Sequence, residues 1–225
     1  MTSVHTAALR VVDAGSVDQL DCPPDSLVEV QRALDWARTF LTAPNPAIGR
    51  SGPVCPYVQE SFARHSLLVA WRPEADCTDE VLASDLLDFA TSFAELRDRV
   101  PADQRHLVAV LIMLSNVDPS SATPLDELHA NLKGEFVRRG LMIGQFHPRC
   151  DAPGLWHDDF RPLQSPVPLL AVRGMVASDL PFLLGDPDHA TTYFSLFAPA
   201  IPAHVRRHLV ARLVQPAAER GRRTP

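Results

Sequence analysis

Hydrophobic residues recur at helical spacing in four segments of the chain, at 27–41, 82–96, 125–136 and 205–213. Each segment follows a residue type that commonly starts a helix. The predicted starts are Ser26, with Glu29 as its capping-box partner, Thr78, Thr123 with Pro124 behind it, and Pro202. Gly140 follows the third segment in the position of a helix C-cap. The pattern therefore predicts four amphipathic helices.

Three shorter apolar segments lie between these helices, at 66–71, 107–114 and 141–146. The second is almost entirely apolar, which is typical of a central strand covered on both faces. Residues 167–173 fit either a fourth strand or a buried helical turn. Strands that alternate with helices predict an α/β or α+β fold. We expect a single layered domain, with a small central sheet of three to five strands flanked by four or more helices.

Length and composition fit one globular domain. The chain has 225 residues, of which 46% are hydrophobic and 21% charged, and a single domain commonly holds about 100–200 residues. We predict a flexible N-terminal segment at 1–20, a globular domain at 21–216 and a flexible basic tail at 217–225. The prolines crowd into 44–56, 148–168 and 181–202, where they impose fixed, non-helical paths.

Charge and hydropathy exclude several classes of partner. A net charge of −6 argues against a nucleic-acid binder, which needs clustered positive charge. No segment approaches the roughly 18–20 apolar residues of a membrane span, and the first residues do not resemble a secretory signal. We therefore expect a soluble, cytoplasmic protein with neither nucleic acid nor membrane as its partner. Its cysteines, which form no C-x-x-C pair, are then expected to be free thiols; they are Cys22, Cys55, Cys77 and Cys150.

Common cofactor and catalytic signatures are missing. The chain contains no G-x-G-x-x-G, no P-loop lysine motif, no G-x-S-x-G and no H-E-x-x-H. Lys133 is the single lysine, and its mid-helix position argues against pyridoxal phosphate chemistry. Neither NAD nor ATP nor pyridoxal phosphate is therefore indicated, while a haem or a transition metal remains open. Whether the protein is an enzyme is also left open by these patterns.

Cys55 lies in the middle of a stiff loop built from two glycines and two prolines, at 49–57. A thiol in that position could act as a nucleophile or as a soft metal ligand, particularly if Arg50 lowers its pKa. The alternative is that Cys55 is a small buried hydrophobic residue, since free cysteine is among the most buried residue types.

His147 follows the predicted strand at 141–146, and α/β-type folds usually place functional groups at strand ends. Its imidazole could act as a general acid or base, or as a metal ligand. Together with Cys150 and Cys55, His147 could form a three-ligand set for zinc or iron. The alternative is a structural histidine whose hydrogen bonds are satisfied at the strand end.

Two arginines flank the proline-rich stretch that follows. Arg161 and Arg173 could converge on the carboxylate or phosphate of a substrate. Alternatively, one or both could pair with nearby acidic residues and hold the loop together. The acidic residues near them in sequence are Asp151, Asp158, Asp159 and Asp179.

Three of these elements occur together in a family of uncharacterised bacterial proteins that this chain resembles. They are Cys-Pro-Tyr at 55–57, Phe-His-Pro at 146–148, and Ser-Pro-Val-Pro at 165–168 leading to Arg173. The resemblance spans roughly residues 26 to 185. It implies a shared set of Cys55, His147, Ser165 and Arg173, and it gives Cys150 a secondary place. Some relatives are encoded beside biosynthetic genes, and the family brings no known activity.

Three functional hypotheses follow. The first is a small-molecule enzyme, for example of specialised metabolism, in which His147 and Cys55 are catalytic and the substrate is bound by Arg161, Arg173 and Ser165. The second is a haem- or metal-dependent protein that uses His147, with Cys55 or Cys150, as ligand. The third is a non-catalytic interaction domain whose proline-rich segments cover the edge of the sheet.

Overall fold

One mixed β-sheet and six α-helices form the regular structure of the part of the chain that the computed structural model describes, residues 4–5, 9–72, 80–114, 117–118 and 123–214. The strands are β1 (Val4–His5), β2 (Arg10–Asp13), β3 (Leu67–Arg72), β4 (Ala109–Leu114), β5 (Leu141–Phe146) and β6 (Leu169–Gly174). The helices are α1 (Pro24–Trp36), α2 (Val58–Ala63), α3 (Glu80–Asp98), α4 (Thr123–Arg138), α5 (Pro187–Phe197) and α6 (Ala203–Leu213). Short 3-10 helices and a π-helical turn join them, at Val17–Gln19, Ala37–Leu41, Pro46–Ile48, Ala102–Leu107 and Ala177–Leu183.

The strands lie in the order β1-β2-β3-β4-β6-β5. Strands β3 and β4 are parallel, whereas β6 is antiparallel to both of its neighbours, β4 and β5. Consequently β3, β4 and β5 all run in the same direction. Their last residues, at 72, 114 and 146, end at one edge of the sheet, which we call the carboxyl edge. The opposite edge, where these three strands begin, is the amino edge.

Strand β4 is buried on both faces, which confirms the prediction of a central strand. Val110 and Ile112 are fully buried and pack into the core beneath α3 and α4. Leu111 and Met113 point to the other face and pack with Val30 of α1. Because successive side chains of a strand alternate between faces, this continuous apolar run supplies two hydrophobic cores at once.

A third apolar cluster lies beside the sheet, where α5 and α6 pack against the end of α4. Val137, Tyr193 and Val210 are buried there, and the Tyr193 hydroxyl donates to Ala177 O at 2.6 Å. Helix α5 was not predicted from the hydrophobic pattern. None of the helices in the described residues is long and apolar enough to cross a lipid bilayer.

The predicted architecture is confirmed as an α+β single domain, with five strands of four to six residues, the two-residue β1 at the edge, and more than four helices. Of the two alternatives left open for residues 167–173, the strand is the one that forms, as β6. One detail differs from the prediction. Helix α1 begins at Pro24, because proline favours the first helical position; Ser26 is therefore inside the helix and not its cap.

Part of the segment predicted as flexible, at 1–20, has regular structure. Strand β2 pairs with β3 through Arg10–Asp13, and Leu9, Val11 and Leu20 are buried. These side chains contribute to the two cores that cover the sheet. The predicted basic tail at 217–225, as well as Cys77 and the helix start at Thr78, lie outside the described residues.

Candidate metal centre

The chain leaves the sheet after β5 at the carboxyl edge and returns as β6 through residues 147–165, which we call the edge loop. Backbone hydrogen bonds join its two limbs. The His147 N–H donates to Leu163 O at 3.3 Å, and the Gly154 N–H donates to Phe160 O at 2.8 Å. The edge loop therefore has a fixed path from its base to its tip.

Aromatic contacts hold the edge loop and its base against α1 and the turn after it. The Trp36 and Phe146 rings meet edge to face with centroids 5.7 Å apart, and the Phe40 and Phe160 rings are 6.2 Å apart. Such ring pairs contribute beyond the area they bury. Side chains at the base of the loop are thus positioned before any ligand arrives.

Asp126, His147 and Cys150 form one cluster at the base of the edge loop. One potential ligand atom from each residue lies within 4.8 Å of the other two. His147 Nε2 is 3.0 Å from Asp126 Oδ1. His147 and Cys150 are each only 1% exposed, whereas the Asp126 side chain is 46% exposed. The cluster therefore has two buried ligand types and one side that faces solvent.

Each member of the cluster is positioned by a different local feature. Asp126 lies in the first turn of α4, where the helix dipole favours a negative charge. His147 is the first residue beyond β5, at the carboxyl edge. The Cys150 N–H donates to His147 O at 3.1 Å, so a tight turn brings the thiol back toward the imidazole. Strand end, turn and helix start meet at this point of the fold.

The cluster contains an unsatisfied polar atom and a thiol that burial keeps protonated. His147 Nδ1 is buried and has no hydrogen-bond partner within the described residues. Burial raises the pKa of Cys150, and the nearby carboxylates of Asp126 and Asp151 raise it further. A backbone hydrogen bond from Ala152 and the positive charge of Arg161 oppose this increase without cancelling it. The unliganded thiol is therefore neutral near pH 7.

Cys55, predicted to join His147 and Cys150, does not belong to this cluster. No group of three ligands that includes Cys55 lies within 4.8 Å among the residues described. The Cys55 N–H donates to Leu41 O at 2.8 Å, and its thiol is close enough to Arg173 to affect that guanidinium electrostatically. The proposed set of Cys55, His147 and Cys150 is therefore not assembled, and Asp126 stands in the place expected for Cys55.

Arg173 lies at the opposite edge of the sheet from His147. In the β5–β6 ladder Phe146 pairs with Leu169, and Arg173 is four residues further along β6. Four strand residues span about 14 Å. Arg173 also lies on the same face of β6 as Leu169, which is the α1 face, whereas His147 contacts Asp126 on the α4 face. The two residues cannot act on one small reacting group.

The guanidinium of Arg173 is already occupied by a buried carboxylate. Its Nη1 and Nη2 donate to the two carboxylate oxygens of Asp179 at 2.7 and 2.6 Å. Asp179 is 2% exposed and also accepts from the Val176 N–H at 2.8 Å. Burial lowers the pKa of Arg173, but the hydrogen bonds to Asp179 and the attraction of its negative charge together raise the pKa overall. The pair ties β6 to the 3-10 helix that follows.

Ser165 and Arg161 have different surroundings. Ser165 is 3% exposed, and its hydroxyl donates to Val167 O within the turn that leads into β6. That bond stabilises the turn. Arg161 Nε donates to Asp151 Oδ1 at 2.8 Å, next to Cys150, and the Asp151 side chain is 91% exposed. The Ser165 N–H also donates to His147 O at 3.4 Å, so Ser165 adjoins the cluster through its backbone. Of the three residues predicted to bind substrate, Arg161 is the one whose side-chain charge lies beside the cluster.

An open groove elsewhere on the surface does not adjoin the cluster. It is lined by Arg38, Phe62 and His65, beside the start of β3 at the amino edge. His65 has a φ of 54°, and its Nδ1 is 3.3 Å from Asp13 Oδ1. None of the residues predicted from the sequence as functional lines this groove.

Comparison with known proteins identifies the family. Residues 30–208 match the family described as Domain of unknown function (DUF6875), and the chain belongs to that family. The predicted resemblance to a family of unknown function is thereby confirmed, over a range that extends further toward the C-terminus than predicted. No curated protein and no solved structure matches the chain.

Proposed function

We propose that this member of the family binds one divalent transition-metal ion, with zinc the best match, through Asp126, His147 and Cys150. The observation that carries the proposal is the convergence of a carboxylate, an imidazole and a thiol within 4.8 Å, with the last two almost completely buried. Exposed acidic groups gather without a metal because water solvates them. Solvation does not explain a thiol and an imidazole beside a carboxylate when both are buried from water.

The chemistry of the three ligands fits zinc better than harder cations. Thiolate and imidazole suit zinc, whereas magnesium and calcium prefer oxygen ligands. A thiolate and a carboxylate together carry two negative charges, which balance the charge of a divalent ion. Binding of the metal also replaces the proton that burial otherwise holds on Cys150.

The number of ligands supports a reactive centre and not a purely structural one. Structural zinc sites usually have four protein ligands, whereas catalytic sites have three and an open fourth position. Asp126 is 46% exposed, so solvent or a small substrate can approach from its side. An ion held in this way would supply Lewis-acid chemistry. We infer a metal-dependent small-molecule enzyme whose reaction takes place beside Asp126.

A Cys–His–Asp catalytic triad would use the same residue types, but the exposures argue against it. A nucleophilic cysteine must reach its substrate and needs a lowered pKa, while the acidic member of a triad is normally buried. Here Cys150 is 1% exposed with a raised pKa, and Asp126 is the exposed member. A haem is disfavoured for a related reason, since His147 is 1% exposed and leaves no open ring face for a macrocycle.

Zinc titration of chelator-treated protein tests the proposal. We expect one zinc ion per chain by elemental analysis, with the affinity measured against a competing chelator. Asp126→Asn, His147→Gln and Cys150→Ser should each weaken binding by more than the roughly 10–100-fold typical of outer-shell changes. Cys55→Ser is the matched control and should bind as the native protein does. Lack of stoichiometric zinc, or equal losses in Cys55→Ser and Cys150→Ser, would overturn the proposal.

A further inference from the structure

We infer that Arg161 anchors the anionic group, a carboxylate or a phosphate, of a substrate bound at the metal centre. The inference rests on the proposed metal binding and names the class of compound that this centre would take. It is carried by the position of Arg161, by the atoms that its guanidinium leaves unused and by the weakness of its present ion pair.

The edge loop places Arg161 directly beside the cluster. Arg161 lies on the returning limb, next to Phe160, which accepts the hydrogen bond from Gly154 on the outgoing limb. It faces Asp151, the residue after Cys150, through the bond from its Nε. Its positive charge is close enough to influence the Cys150 thiol. A substrate group held by the guanidinium would therefore lie near Cys150, at the base of the edge loop.

The guanidinium of Arg161 has N–H groups that form no hydrogen bond within the described residues. Its Nε donates to Asp151 Oδ1, and its Nη1 donates to the backbone oxygen of Asp158. Its Nη2 donates to no group within the described part of the chain. The Arg161 side chain is 27% exposed, so a ligand can reach it. The backbone bond orients the guanidinium while leaving one edge available, which is the geometry that planar oxyanions match.

The ion pair with Asp151 is weak enough to be exchanged for a ligand. Asp151 is 91% exposed, and pairs with so exposed a carboxylate contribute little stability because water solvates the separated partners. Arg173 shows the opposite case, since its partner Asp179 is 2% exposed and bound by both terminal nitrogens. Of these two arginines, Arg161 can therefore release its partner at low cost.

A metal ion with an open coordination position and the guanidinium of Arg161 would together suit an oxyanion. Arg161 is hydrogen-bonded to the residue that follows the ligand Cys150. A metal held by Asp126, His147 and Cys150 would supply a Lewis acid for one oxygen of the anion, and the planar guanidinium of Arg161 would donate parallel hydrogen bonds to the others. A neutral or cationic substrate would leave the Arg161 charge uncompensated after Asp151 had been displaced. The positive charge of Arg161 beside the metal centre thus favours an anionic substrate.

The test uses the full chain loaded with cobalt(II), whose visible spectrum responds to anions at the metal, and titrates it separately with inorganic phosphate and with acetate. We expect at least one of the two to bind saturably, and the tighter one indicates the class of substrate. Arg161→Gln should weaken that binding by about tenfold or more, because charge-assisted hydrogen bonds are lost, and should change the cobalt affinity much less. Asp151→Asn, which removes the competing carboxylate, should keep or strengthen the binding of the anion.

Arg149→Gln is the matched control, since it removes a neighbouring exposed arginine on the other side of Cys150. Equal weakening in Arg149→Gln and Arg161→Gln would attribute the effect to general electrostatics and overturn the inference. Unchanged anion binding in Arg161→Gln, or no anion binding by the native protein, would overturn it while the metal proposal stood. Failure of the native chain to take up cobalt would overturn the metal proposal, and this inference with it.

Discussion

The Arg173–Asp179 ion pair allows a quantitative test of whether Arg173, which was predicted to bind substrate, stabilises the fold and takes no part in metal binding. Asp179 is 2% exposed, and its carboxylate accepts three hydrogen bonds, two from Arg173 and one from the Val176 N–H. Arg173→Met keeps an aliphatic stem but leaves the buried carboxylate with one of these three donors. Removing one partner of a buried pair costs about 3–5 kcal/mol, because the remaining charge is uncompensated.

In a chain of this size each kcal/mol lowers the melting temperature by about 2–4 °C, so Arg173→Met should lower it by about 6–20 °C. Circular dichroism during heating, together with urea unfolding, measures the loss. The double variant Arg173→Met/Asp179→Leu should be more stable than Arg173→Met alone, because it leaves no buried charge. Zinc affinity should be unchanged, since the pair lies at the amino edge. A loss below about 1 kcal/mol, or a loss of zinc binding at native stability, would refute this reasoning.

Three further predictions concern the core, the loop contacts and pH. Leu111→Asp should lower the free energy of unfolding by about 4 kcal/mol or more, because it buries an unpaired charge in β4. His147→Ala should weaken metal binding and leave the fold intact. Equal losses of melting temperature in the two variants would make His147 structural. Gly49→Ala should cost about 1–3 kcal/mol in urea unfolding, because φ is +68° and the new Cβ would lie 2.4 Å from the Trp156 ring. Burial lowers the pKa of His129 below 6.5, so its protonation favours the unfolded chain. Stability should therefore fall as the pH drops through 6.5, and His129→Gln should reduce that dependence.

The spacing of hydrophobic residues predicts most of the fold. The side chains that a helix or strand buries must be apolar, so they recur in the sequence at the period of that element. Strand β5 (Leu141–Phe146) has the predicted bounds, and β4 (Ala109–Leu114) is the predicted central strand. Helix α5 was missed although its signal is present. Asp186 caps it by accepting from two backbone N–H groups, and Pro187 occupies its first turn. The prolines around that cap are equally typical of a non-helical loop, so composition alone does not distinguish the two.

The candidate site was only partly predictable, because its members differ in how they are brought together. His147 and Cys150 are three residues apart, so a single turn joins them and their association can be read locally. Asp126 reaches them only because α4 crosses back over the sheet beside β5, which periodicity does not reveal. The predicted union of His147 with Arg173 fails because β6 runs antiparallel between β4 and β5, and the pattern of apolar residues does not encode strand direction.

X-ray absorption at the zinc edge of the zinc-loaded protein tests the central claim most directly, because it counts the atoms bound to the metal. The account predicts one sulfur at about 2.3 Å and a remainder of nitrogen and oxygen at about 2.0–2.2 Å. The sulfur should be present in Cys55→Ser and absent in Cys150→Ser. A shell without sulfur in the native protein, or a sulfur that persists in Cys150→Ser and is lost in Cys55→Ser, would contradict the centre built from Asp126, His147 and Cys150.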